Sequence, residues 1–213
     1  MKKSWAITIG REFCSGGTEV ARKVAERLSV PYYDLDLIDH AIEKTNLNRE
    51  TVLEFEEKPE SFWKADPYGS KIYRDDPSLV LPVHTRIFEA QCEAIRQYAG
   101  EGPGVFVGRC SDYVLDECSH VIDVVSVFIR ADLDLRVKRC MRLYSLTEAE
   151  ARKLILKTDK IRAKYYKAHT GRDWGTIDNY TLIVDTGEFG TDGAAVMIEA
   201  AVNTINSREK ISL

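Results

Sequence analysis

The chain has 213 residues, 44% of them hydrophobic and 30% charged, with a formal net charge of −4. That size and balance suit one globular enzyme-like domain with a real core, carrying an insertion or a small lid. The acidic balance argues against general nucleic-acid binding, which shows a basic surface, yet leaves room for a local basic patch around a phosphorylated small molecule.

Residues 4–9 read as a first strand, followed by a loop with three glycines and an amphipathic helix over 17–28. Residues 30–34 read as a second strand ending at an acid, and 35–44 as a helix by pattern. Residues 46–82 are less regular, hold four of the six prolines and are read as an insertion with a short helix and a loop. A strong helix follows over 82–98, with Val83, Ile87, Ala90, Ala94 and Tyr98 at helical spacing. Gly100 to Gly104 stops it. Then come a buried strand at 105–107, a short helix at 111–117 and a β-branched central strand at 121–129. The next helix, 132–143, has a cationic side with Arg136, Lys138, Arg139 and Arg142. Thr147-Glu148-Ala149-Glu150 has the form of an N-capping start for a helix running to about residue 168. The last strand is 180–184, and the closing helix begins at Asp192 or Gly193 and ends near Asn206.

Alternating strands and helices predict an α/β fold, a parallel sheet flanked by helices. Ligands of such sheets sit at the carboxyl ends of the strands. That edge collects the loop Gly10–Thr18, Asp34, Gly108-Arg109, Arg130 and Asp185. Strand, glycine loop, helix is the geometry that cradles phosphate, because glycine lets backbone N–H groups turn inward and the helix N-terminus adds partial positive charge. The phosphate-loop pattern G-x-x-x-x-G-K-[ST] places a lysine after its second glycine. Counted from Gly10 as the first glycine, Gly16 stands at the lysine position, and the terminal hydroxyl, Thr18, follows one residue later than the pattern sets it. Arg11, inside the loop, and Lys160 and Arg162, further along the chain, are the candidate replacements.

Five cysteines (Cys14, Cys92, Cys110, Cys118, Cys140) are scattered without a CxxC pair, and no leader or membrane-length apolar run is visible. A cytoplasmic protein with reduced thiols and no membrane contact is expected. The four histidines form no metal-spaced pair, so no zinc site is expected.

The order of these blocks resembles the cytidylate kinase-like family of P-loop kinases, relatives of the nucleoside monophosphate kinases. The resemblance is carried by Gly10–Gly17, Pro31-Tyr32-Tyr33-Asp34, 106–113, Phe128-Ile129-Arg130-Ala131 with Arg136 and Arg139, Thr158–Tyr166, Thr170-Gly171, Trp174-Gly175 and Asn179-Tyr180. It implies a P-loop NTPase-type domain over the whole of 1–213, with an acceptor-side helical insertion at 40–85 and a lid at 145–178. It implies ATP and Mg²⁺ as cofactors and a nucleoside monophosphate such as CMP as acceptor. Gly10, Ser15, Gly16, Gly17 and Thr18 would hold the donor phosphates, with the Thr18 hydroxyl facing the metal. Asp34, Arg109 and Asp112 would bind the acceptor; Arg11, Lys160 and Arg162 would act on the transferred group. A non-catalytic nucleotide-binding protein and a kinase of a non-nucleotide metabolite stay open, as does a homo-oligomer.

Overall fold

The computed structural model describes residues 4–50, 52 and 83–207. Most of the expected insertion, 53–82, lies outside the described residues. Five strands form one parallel sheet: β1 (Ser4–Arg11), β2 (Tyr32–Tyr33), β3 (Gly104–Val107), β4 (Ile122–Arg130) and β5 (Leu182–Asp185). Their spatial order is β2-β3-β1-β4-β5, so β1 is central, with β3 on one side and β4 on the other. The register sets Ile9 against Val107, Gly10 against Phe128 and Arg11 against Ile129, which brings the ends of β1, β3 and β4 to one edge.

Side chains alternate across the sheet with the period of a strand. Ile7 and Ile9 of β1, with Val105 and Val107 of β3, face α1 (Gly17–Leu28) and α7 (Thr186–Ser207), where Val20, Val24, Ile198 and Val202 complete one core. Ala6 and Phe106 face the other way, onto Leu37 of α2 (Leu35–Thr45), Ile95 of α3 (Val83–Glu101) and Leu115 of α4 (Ser111–Asp116). Both faces are therefore dry, and the strands read as apolar runs for that reason.

A separate layer lies over the loop. Helices α5 (Leu133–Tyr144) and α6 (Glu148–Thr170) pair through Val137, Cys140, Ala151 and Ile155, with Phe13 and Cys14 of the loop packed against them. The N-terminus of α6 is the expected one: Thr147 and Glu150 close a capping box, Thr147 Oγ1 accepting from the Glu150 N–H and the Glu150 carboxylate accepting from the Thr147 N–H. Gly171 ends it in the left-handed region at φ 70.

Two elements differ from expectation. Strand β2 is only two residues long, since the backbone turns at Asp34 into α2. The closing helix begins at Thr186 rather than at residue 192, but Gly190 breaks it at φ 65, ψ 175. A first turn thus stands apart from the long helix. Three glycines in eight residues hide that turn from a propensity reading. It has a task at the site, because Thr186 Oγ1 donates to the Ser15 carbonyl at 2.5 Å.

Candidate functional site

The loop between β1 and α1 is shaped by close approach. Gly16, the residue before α1, lies at φ 88, where a side chain is strained. A Cβ on Gly17 would run into Arg11 Cβ, and one on Gly10 would come 2.9 Å from the Phe128 ring. The Ser15 N–H and hydroxyl both donate to the Glu12 carbonyl, the hydroxyl at 2.9 Å, so that side chain serves the loop's own turn. Glu12 ties the loop to the end of β4, accepting from the Ala131 N–H at 3.0 Å. Burial pushes the Glu12 carboxyl up, with the Ala131 bond and Arg136 pulling against it.

Helix α6 closes on the loop from above. Asp159 accepts the Phe13 N–H at 2.8 Å and the Arg136 guanidinium at 2.5 Å. Arg136 is buried and bridges α5, α6 and Glu12, which is a structural role. Arg162 turns inward, donates to the Arg11 carbonyl at 3.2 Å and lies 5.6 Å over the Phe13 ring. Lys160 is exposed and lines none of the cavities described below.

Three spaces meet at this edge. A cavity of about 300 Å³ lies over the loop and is lined by Gly16, Gly17 and Thr18 with Arg11, Arg139 and Arg162. Beside it, about 350 Å³ opens between α5 and the Thr186–Thr191 turn, bounded by Ser15, Arg136, Arg139 and Arg142. On the other side is a narrow cleft of about 30 Å³, lined by Gly10, Arg11, Arg109, Asp112, Arg162 and the aromatic residues Tyr165, Tyr166, Trp174 and Tyr180. Arg11 and Arg162 belong to both the loop cavity and the cleft. Gly10, expected on the donor phosphates, faces the cleft, while Ser15 faces the second cavity.

The cleft is built on an unusual backbone. Gly108, Arg109 and Cys110 all have positive φ, at 69, 53 and 56. Left-handed backbone costs a non-glycine residue about 1–2 kcal/mol, so two such residues in a row mark a segment held in place by its surroundings. The turn drives the Arg109 side chain back to within 2.7 Å of Asp34 Oδ1 and 3.1 Å of the Val107 carbonyl. Arg109 is buried, and Asp34 also accepts from the Tyr32 hydroxyl at 2.9 Å. Asp34 is not among the residues lining the cleft; it stands behind Arg109. Burial pushes the Asp34 carboxyl up, but the charges and hydrogen bond of Arg109, with Arg11, outweigh it and hold the group below its ordinary value. Asp112 is buried as well and accepts from the Tyr166 hydroxyl at 2.6 Å, and burial raises its pKa.

The sequence places Arg139 on the cationic side of its helix without giving it a role. Arg139 lines both larger spaces. The Arg136, Arg139, Arg142 spacing was a visible signal, although the residue that reaches the loop depends on how α5 docks.

Among the described residues, no group of three acidic, cysteine or histidine side chains could hold a metal ion by itself. No helix among them is long and apolar enough to cross a membrane.

The sequence profile of the cytidylate kinase-like family matches residues 6–188. The cytidylate kinase of Methanopyrus kandleri is 27% identical over 212 residues, 97% of this chain and 97% of that one. Among solved structures, an uncharacterized protein from Eubacterium ventriosum superposes with a TM-score of 0.69 at 27% identity, covering 96% of this chain and 99% of the other. The shikimate kinase of Bacteroides thetaiotaomicron superposes with a TM-score of 0.52 at 11% identity, covering 94% and 99%, a likeness of fold. The five-stranded parallel sheet with its glycine loop is a P-loop kinase fold. Fold and sequence together support phosphoryl transfer to a small substrate, and the chain belongs to the cytidylate kinase-like family.

Proposed function

We propose that this protein transfers the terminal phosphoryl group of ATP to a nucleoside monophosphate, CMP being the first candidate. One observation carries the reading. The loop cavity and the acceptor-side cleft share a wall made of Arg11 and Arg162. Phosphoryl transfer asks little covalent work of a protein; it needs positioning and cations around the moving group. Two guanidinium groups between two spaces meet that need.

On this reading the donor phosphates lie on Gly16, Gly17 and Thr18, and the nucleoside end lies between α5 and the Thr186–Thr191 turn. Mg²⁺ fits the donor set. It is held in such sites by a few protein oxygens together with substrate phosphates rather than by a complete protein cage. The Thr18 hydroxyl at the cavity wall is the oxygen offered. When bound, the metal would neutralise charge on the donor phosphates.

The acceptor would occupy the cleft, with Arg109 and Asp112 on its floor and Tyr165, Tyr166 and Trp174 above. A space of about 30 Å³ is far smaller than a nucleotide. Helix α6, which supplies Arg162, Tyr165 and Tyr166, is therefore read as a lid seen closed, and residues 145–178 as the moving part. The same narrowness favours a second reading, a kinase of a smaller metabolite.

ATP consumption with Mg²⁺, measured against a panel of nucleoside monophosphates with a no-acceptor control, tests the proposal. ADP release that depends on CMP supports it. Release with none of the nucleotides but with a smaller alcohol or acid supports the second reading. Tight ATP binding without transfer to any acceptor would point to a non-catalytic nucleotide-binding protein.

A further inference from the structure

We propose that Arg139, reaching in from α5, supplies the cation that this loop lacks at Gly16. The inference rests on the phosphate-binding reading of the loop given above. The backbone disfavours a lysine at residue 16. Gly16 lies at φ +88, and a Cβ there would come 2.9 Å from Thr191 Cγ2 and 3.4 Å from the Cζ and Nη1 atoms of Arg139. The space into which a loop lysine would emerge is thus already bordered by a guanidinium from another helix.

That guanidinium is held by one edge. Arg139 Nη2 donates to Glu19 Oε2 at 2.5 Å. The other carboxylate oxygen of Glu19 accepts from Thr191 Oγ1 at 2.7 Å and pairs with Lys23 at 3.1 Å. Bonds from Thr191 and Arg139 keep Glu19 ionised, with its pKa drawn down to about 2. Glu19 is a positioning residue in this arrangement. It fixes Nη2 and leaves Nη1 beside Gly16, on the wall of the loop cavity. A guanidinium presents donors in a rigid fork that suits a phosphate oxygen pair, whereas an ammonium is a point charge.

The other cations near the loop are placed for different work. Arg11 and Arg162 line the loop cavity on the side of the cleft. Arg139 lines it on the side of the second cavity, where the donor's inner phosphates would lie. In the transfer, the bond from the terminal phosphorus to the bridging oxygen breaks, and a bond from that phosphorus to an acceptor oxygen forms. The electron pair of the broken bond stays on ADP. Arg139 keeps its protons and neutralises that growing charge.

The test is equilibrium binding of two probes, inorganic tripolyphosphate and ATP, to the wild type, Arg139→Gln and Arg139→Lys, with thermal melting of each. Loss of a charge-assisted hydrogen bond predicts about tenfold or greater weakening of both probes in Arg139→Gln. Arg139→Lys, which keeps the pair with Glu19 and guards against misfolding, should fall between it and the wild type. Wild-type affinity for tripolyphosphate in both variants overturns the role of Arg139 while leaving the loop reading intact. A wild-type protein that binds neither probe overturns the loop reading and this inference with it.

Discussion

Removing the carboxylate behind Arg109 gives the sharpest test of how the cleft is built. The Arg109 side chain is only 4% exposed and pairs with Asp34, itself 18% exposed. Truncation by Asp34→Ala removes the carboxylate that this buried guanidinium pairs with, while its bond to the Val107 carbonyl remains. Breaking one partner of a buried pair costs about 3–5 kcal/mol; partial exposure of Asp34 places this case near the lower end, about 3 kcal/mol. For a chain of this size each kcal/mol lowers Tm by about 2–4 °C, so a fall of about 6–12 °C is expected. The assay is thermal and urea unfolding of Asp34→Ala, Arg109→Met and the double variant, read as a cycle. The double variant should be no less stable than Asp34→Ala alone, since the buried charge is gone. The pH dependence carries a sign. Asp34 is held below its ordinary value, so its stabilisation is present above the unfolded carboxylate pKa and is lost as pH falls through the folded one. The penalty of Asp34→Ala should therefore shrink in acid. A Tm change under about 1 °C, or single effects that simply add, would refute the reasoning, because either shows that Arg109 needs no carboxylate partner.

Three other outcomes follow from the same geometry. Gly17→Ala would press a methyl group into Arg11 Cβ and to within 3.3 Å of Ile129 Cβ; overpacking of that kind costs about 1–3 kcal/mol, and displacement of Arg11 should weaken ATP binding measured by titration. Cys14 is pushed up to about 12, first by burial and then by its contact with the Cys140 thiol. Its thiolate fraction at pH 8 is about a thousandfold below that of an ordinary thiol, so alkylation by iodoacetamide, followed by peptide mass spectrometry, should be slow; modification at the rate of free cysteine would contradict the packing. Asp112 has a raised pKa from burial, so the native state holds its proton more tightly and stability declines as pH rises through that range. Asp112→Asn should gain on the wild type in urea midpoint between pH 4 and pH 7, whereas a constant difference would mean that the carboxyl titrates as it does in the unfolded chain.

The sheet was legible because both its faces are covered: apolar runs broken by glycine admit few other readings once helices alternate with them. Glycine loop, capping box and strand ends were legible for local reasons as well. Pairings across the chain were not. Lys160 and Arg162 were grouped as candidates, yet two residues on a helix differ by about 200° in direction, so one had to face away. The structure turns Arg162 to the loop, while Lys157, Lys160, Lys164 and Lys167 form the exposed face. Asp34 and Arg109 were both expected on the acceptor, 75 residues apart in sequence; that one holds the other depends on the left-handed turn at residues 108–110, which no composition announces.

Gly16 shows what a motif reading of the loop leaves out. A motif reading asks which residues of the chain replace the lysine, and it offers Arg11, Lys160 and Arg162. The physical constraint is spatial. At φ +88 a side chain at that point is strained, and the guanidinium beside it comes from an element packed over the loop. Helix α5 is that element, and the packing of Val137 and Cys140 against Ile155, Phe13 and Cys14 fixes its rotation. The rotation that buries those residues is the one that carries the Arg139 guanidinium to Gly16. The position of the charge is thus set by the apolar contacts of its helix, and a substitution such as Cys140→Phe, which would tilt α5, should weaken tripolyphosphate binding without touching any polar group.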